Sequence, residues 1–67
     1  MITNADYKRV REDMENLART NYIRHKEALE EWREGEPVKA WFDDKGNLCI
    51  EYESGKWWHY NEKGEWW

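Results

Sequence analysis

The twelve residues KWWHYNEKGEWW (56–67) hold four of the six tryptophans in a 67-residue chain. The face that each of these rings takes decides what kind of fold this is. The stretch reads as an aromatic strand, a glycine turn and a second aromatic segment. Eighteen residues upstream a related stretch occurs. WFDDKGNL (41–48) and HYNEKGEW (59–66) share an aromatic residue, D/N, D/E, Lys, Gly, N/E and a large apolar residue. Together with ESGK (53–56) they predict an antiparallel meander over residues 37–67, since turn signals separate short β-rich runs.

Register assigns the faces. With Asp44-Lys45-Gly46 as a three-residue loop, Trp41 opposes Cys49 and Ala40 opposes Ile50. With Ser54-Gly55 as a two-residue turn, Glu51 opposes Trp58 and Cys49 opposes Tyr60. With Glu62-Lys63-Gly64 treated like the first loop, Tyr60 opposes Trp66 and His59 opposes Trp67. Side chains alternate between faces, so one face is expected to hold Val38, Ala40, Phe42, Leu48, Ile50, Tyr52, Trp57, His59 and Trp67 as the core. The other face is expected to carry Trp41, Cys49, Tyr60 and Trp66 in a row, with Trp58 beside them.

Upstream of the meander the chain reads as one helix over about residues 4–34. Thr3 or Asn4 is an N-cap candidate, and Thr3 with Asp6 has capping-box spacing. Gly35 and Pro37 close the helix. Tyr7, Val10, Met14, Leu17, Ala18, Asn21, His25, Ala28, Leu29 and Trp32 fall on one stripe. The fold class expected is therefore α+β, a single domain with one long helix on a three- to four-stranded antiparallel meander. Such a helix would span about 45 Å and overhang strands of about 20 Å. The overhang predicts a homodimer through Tyr7, Val10, Met14 and Leu17. A bend near Asn21 that folds the overhang back is the competing arrangement.

Composition bounds the chemistry. Val, Ile and Leu number eight against eleven aromatics, so rings that each bury about 150–250 Å² must stand in for missing aliphatics. One cysteine, Cys49, excludes an internal disulfide, and no Cys/His spacing reads as a zinc site. Cys49 and His59 fall on opposite faces in the expected register, which argues against a nucleophile–base pair. His25 and His59 are expected together in the helix–sheet interface, where a metal would lack further ligands. No catalytic, metal or cofactor residue is assigned, and no enzyme activity is expected. No apolar run approaches the roughly 18 residues of a membrane span, and the first ten residues have no apolar core of a signal peptide. A cytoplasmic location is expected.

Charge is uneven. Residues 1–26 carry six basic and four acidic side chains, and residues 27–67 carry five and eleven. The acidic half disfavours nucleic acid and anionic membranes. Glu27, Glu30, Glu31 and Glu34 crowd the C-terminal end of the expected helix, where the dipole disfavours anions. They are candidates for contact with a basic partner, with plain solubility as the alternative.

GKWWHYNEKGEWW (55–67) and, more loosely, AWFDDKGNL (40–48) resemble the aromatic hairpin repeats of choline-binding, cell-wall-anchored proteins. The resemblance implies hairpins with Trp57, Trp58 and Tyr60 on the aromatic strand and Gly64 in the turn, and cation–π binding of a quaternary ammonium group. The function expected from the residues is a small non-enzymatic protein-binding module, in character like a compact inhibitor from a phage or mobile element. Trp41, Trp58, Tyr60 and Trp66 would supply the apolar contact. The alternative is a sugar- or quaternary-ammonium-binding module using the same rings.

Overall fold

The structure, a computed structural model, describes the backbone of residues 4–67 and the side-chain surroundings from Glu12 onward. One helix, α1 (Asn4–Ala28), packs on a three-stranded antiparallel sheet of β1 (Pro37–Phe42), β2 (Leu48–Tyr52) and β3 (Trp57–Tyr60) in the order β1-β2-β3. A single bridge from Tyr60 to Trp66 adds the last residues along the outer side of β3. This is the α+β architecture that the periodicity predicts.

Three turns build the sheet, and they are one turn used three times. In each, a backbone N–H donates across the turn: Asp43 to the Asn47 carbonyl, Tyr52 to Lys56 and Asn61 to Glu65. In each, the glycine N–H then donates back to the carbonyl of the first residue, from Gly46, Gly55 and Gly64. The glycines stand nine residues apart, with φ of +84°, +89° and +81°. This is the three-residue hairpin loop with a left-handed glycine at its end.

The middle turn corrects the expected two-residue Ser54-Gly55 connection. A two-residue turn of the favoured primed type needs positive φ at its first central residue, which would be Ser54. Among the described residues no non-glycine has positive φ, and a loop of Glu53-Ser54-Gly55 leaves that burden to Gly55 alone.

One residue of slip turns over the whole of β3. The β1–β2 pairs are as expected, with Ala40 opposite Ile50 and Trp41 opposite Cys49. The β2–β3 pairs are not: Ile50 faces Trp58, Cys49 faces His59 and Leu48 faces Tyr60. Trp58, Tyr60 and Trp66 therefore lie under the helix, while Trp57, His59 and Trp67 face away from it. A register shift between Pro37 and Lys39 leaves Val38 without a partner in β2. Val38 and Phe42 are exposed instead of joining the core.

The core consists of Ala18, Leu48, Ile50, Tyr52 and Tyr60, packed against Met14, Tyr22, Trp32, Ala40, Trp58 and Trp66. From α1 the inward positions are Met14, Ala18, Asn21, Tyr22 and His25, at the three- and four-residue spacing of one helical face. Asn21 is buried and satisfied by donating from Nδ2 to the Leu17 carbonyl at 2.9 Å. Thr20 makes the equivalent bond to the Asn16 carbonyl. These bonds hold both weak helix formers inside a helix that is unbroken across them.

α1 ends at Ala28, six residues before the expected Glu34. Continuing it would set Glu30, Glu31 and Glu34 against the negative end of the dipole. Instead residues 29–36 form a strap that turns Trp32 back onto the sheet. Its ring meets Tyr22, His25, Tyr52 and Trp58 at centroid distances of 4.9–6.3 Å, and its Nε1 donates to the Gly35 carbonyl at 2.7 Å. The β2–β3 turn pins the strap, because Ser54 and Glu53 donate their N–H groups to the Glu34 and Glu36 carbonyls.

Candidate functional site: the open face of the sheet

Helix and strap cover one side of the sheet. The other side carries an aromatic row of different membership from the expected one. Trp41 on β1 stands 5.5 Å from Trp57 on β3 by ring centroids, Trp57 stands 4.9 Å from His59, and His59 is stacked on Trp67 at 4.9 Å with an interplanar angle of 2°. Trp57 is 48% exposed and Trp67 is 51% exposed. The Lys39 ammonium sits 5.4 Å from the centre of the Trp41 ring, so a cation already occupies one ring of the row.

Beneath the row lies a polar cluster. Cys49 is fully buried and opposes His59 across the ladder. Asp43, at the end of β1, points its Oδ2 toward His59 Nε2 at 3.9 Å. The donor atoms of Asp43, Cys49 and His59 all lie within 4.8 Å of one another. The expected separation of Cys49 and His59 onto opposite faces is thus corrected. The same correction removes His59 from the helix–sheet interface, where His25 is found without it.

Local chemistry fixes each member. Asp43 Oδ1 accepts the N–H groups of Lys45 and Asn47 at 2.9 and 2.8 Å, the self-capping habit of an Asx turn. Burial opposes the Asp43 charge, but these hydrogen bonds and the nearby His59 outweigh it and hold the carboxyl below its usual range. Burial pushes the Cys49 thiol up, and the charge of Asp43 adds to that. His59 Nδ1 lies 3.3 Å from the main-chain oxygen of Trp67.

Of the residues read from the sequence as partner-binding, only Trp41 is on this face. Trp58 packs edge-on against His25 at 5.1 Å, Trp66 stacks on His25 at 4.5 Å, and Tyr60 is buried and hydrogen-bonded to His25. Glu27, Glu30 and Glu31 are exposed. Glu34 is half-buried, accepts a hydrogen bond from Ser54 Oγ at 2.8 Å, and lies 3.8 Å from Lys56.

In the expected dimer patch Met14 is half-buried against the core and Leu17 is 47% exposed. The side chains of Tyr7 and Val10 lie outside the described residues. Leu17 and the exposed Phe42 line a groove of about 530 Å³ beside the helix.

The face residues that sequence reading missed are Trp57, His59 and Trp67. The nine-residue glycine spacing is the signal that would have found them, because it makes the middle turn equivalent to its neighbours. Comparison with protein-family models, with curated proteins and with solved structures finds no match for this chain.

Proposed function

We propose that the chain is a non-enzymatic, cytoplasmic protein-binding module that docks a basic partner on the open face of its sheet. The observation that carries this reading is the pair Trp57 and Trp67, each about half exposed and locked in a ring-on-ring row with Trp41 and His59. A contiguous row of half-exposed rings is the kind of apolar patch that marks contact sites, and tryptophan is among the residues enriched in interface hot spots. The row presents π faces, which attract guanidinium and ammonium groups. Residues 27–67 carry a net charge of −6 over the whole segment, which draws a basic partner toward this half of the chain, while the rings supply the stacking surface. Such a module acts by occlusion, as a small inhibitor does. Titration with an arginine-rich peptide tests it: a saturable change in tryptophan emission, lost in Trp57→Ala and Trp67→Ala with the circular dichroism intact, supports the reading. An unchanged response in those variants contradicts it.

The second reading, a quaternary ammonium site, is favoured by the seat that Lys39 already takes on Trp41. Of the aromatic-strand residues implied by the choline-binding resemblance, Trp57 alone is on the open face, so a cage would have to come from Trp57, Trp67 and Trp41. Quenching by millimolar choline supports this reading, and an absence of quenching retires it.

Self-association is a separate proposal. Leu17 and Phe42 are both exposed and line one groove, and a second copy of the chain would cover both. Light scattering is expected to give about 17 kDa, twice the 8.4 kDa chain mass, and to fall toward the single-chain mass on Leu17→Glu. A concentration-independent mass of one chain overturns it.

A further inference from the structure

We propose that Asp43, Cys49 and His59 form a binding site for a borderline divalent transition metal of the zinc class. The site needs neither the docking reading nor a partner.

Three ligand types that such ions favour converge here, Cys49 from β2, His59 from β3 and Asp43 from the turn that joins β1 to β2. Their donor atoms lie within 4.8 Å of one another. Around a tetrahedral zinc ion, nitrogen and oxygen ligands stand about 3.3 Å apart and a sulfur somewhat further. The 3.9 Å between Asp43 Oδ2 and His59 Nε2 is close to that spacing and too long for a hydrogen bond. The closing movement needed is about 1 Å or less at each side chain, within reach of χ rotation. One thiolate and one imidazole select against magnesium and calcium, which take all-oxygen sets.

The surroundings prepare the ligands. His59 Nδ1 stands at the main-chain oxygen of Trp67. A proton on Nδ1 donates to that oxygen and leaves the Nε2 lone pair directed at Asp43 and Cys49. A ligating histidine is usually oriented by such a bond from its other nitrogen to a carbonyl. Stacking on Trp67 fixes the ring plane. Asp43 uses Oδ1 for the backbone of the turn, while Oδ2 accepts from Asn47 Nδ2 at 3.3 Å and faces the cluster with its remaining lone pair. With Nδ1 protonated, the Nε2 lone pair stands beside the Asp43 carboxylate oxygen, which accepts from Asn47 Nδ2 at 3.3 Å, and the Cys49 thiol, which donates to the Asn47 carbonyl at 3.9 Å. Metal binding at this point turns the thiol to thiolate and releases its proton to solvent.

The chain contains its own control for Asp43. In the third turn Asn61 occupies the equivalent position, and its Oδ1 accepts the N–H groups of Lys63 and Glu65, each at 3.0 Å. An amide thus serves the turn as well as a carboxylate does. In both turns the second side-chain atom also bonds the side chain four residues on, Asp43 Oδ2 accepting from Asn47 and Asn61 Nδ2 donating to Glu65, so it is only the negative charge of Asp43 that the turn does not require.

The test uses the full chain, reduced, titrated with Co²⁺ and then Zn²⁺. Expected are one equivalent of Co²⁺ bound, a near-ultraviolet thiolate-to-cobalt charge-transfer band, and displacement by Zn²⁺. Cys49→Ser should abolish the band. Asp43→Asn, which copies Asn61 and preserves the turn, and His59→Phe, which preserves the stack on Trp67, should each weaken binding at least about tenfold. Circular dichroism of Asp43→Asn checks that the fold survives. Absence of the band in the parent chain overturns the site, as does unchanged affinity in either Asp43→Asn or His59→Phe.

Discussion

His25 Nδ1 and the Tyr60 hydroxyl are hydrogen-bonded at 2.7 Å in the interior, between the last turn of α1 and the end of β3. The Tyr60 hydroxyl also bonds the Tyr52 hydroxyl, so helix, central strand and outer strand share one polar chain. Around it the rings of Trp32, Trp58 and Trp66 close on His25 at 4.5–5.1 Å. Burial raises the pKa of both phenols, that of Tyr52 to about 12, which keeps the relay neutral at ordinary pH. Among the described residues no buried side-chain nitrogen or oxygen lacks a partner.

Tyr60 is the middle of this chain and should matter most. Tyr60→Phe leaves His25 Nδ1 and the Tyr52 hydroxyl unpaired, an expected loss of about 1–3 kcal/mol. Tyr52→Phe leaves Tyr60 still bonded to His25 and should cost less. Denaturant unfolding of the two variants measures the order.

Stability should fall on mild acidification because of His25. Burial lowers its pKa from 6.5, with the charge of Glu34 opposing, so the unfolded chain takes up the proton first. The contribution is full above about pH 6.5 and is lost as pH falls through that value toward the lower folded one. Asp43 has a depressed pKa and adds its own loss only further down, below its usual 3.8. Melting temperatures from pH 8 to 5 should therefore decline, and His25→Phe, which keeps a ring against Trp66, should flatten the slope in that window.

Glycine substitution separates conformation from crowding. A methyl at Gly55 would meet nothing within 4 Å, so Gly55→Ala costs only the left-handed backbone, about 1–2 kcal/mol. At Gly35, φ is +80° and the added carbon would lie 2.9 Å from Glu53 Cβ. Gly35→Ala should cost more and should loosen the strap that carries Trp32. Thermal melts of both variants check the ranking.

The first and third hairpins were legible in the sequence because Asp43 and Asn61 announce their turns with a side chain that caps its own backbone. The middle turn has Tyr52 in that position. Without the Asx signal ESGK passes for a two-residue turn, and a single residue of error exchanges Trp57 with Trp58. Trp41 was placed correctly because the first hairpin alone sets it. Glu30, Glu31 and Glu34 look like a continued helical surface in the sequence, but they lie beyond the end of α1 at Ala28. Trp32 leaves the helix there for a nest of aromatic rings that no local pattern could disclose.

The membership of the open face depends on the β2–β3 register, and the unfolding free energies of Trp57→Ala and Trp58→Ala test that register most directly. Trp58 lies in the helix–sheet core and should lose about 2–4 kcal/mol on truncation, somewhat less than a fully buried tryptophan. Trp57 lies on the open face and should lose about 1 kcal/mol or less. Comparable losses, or a larger loss at Trp57, would contradict the pairing of Cys49 with His59 and with it all three proposals for the open face.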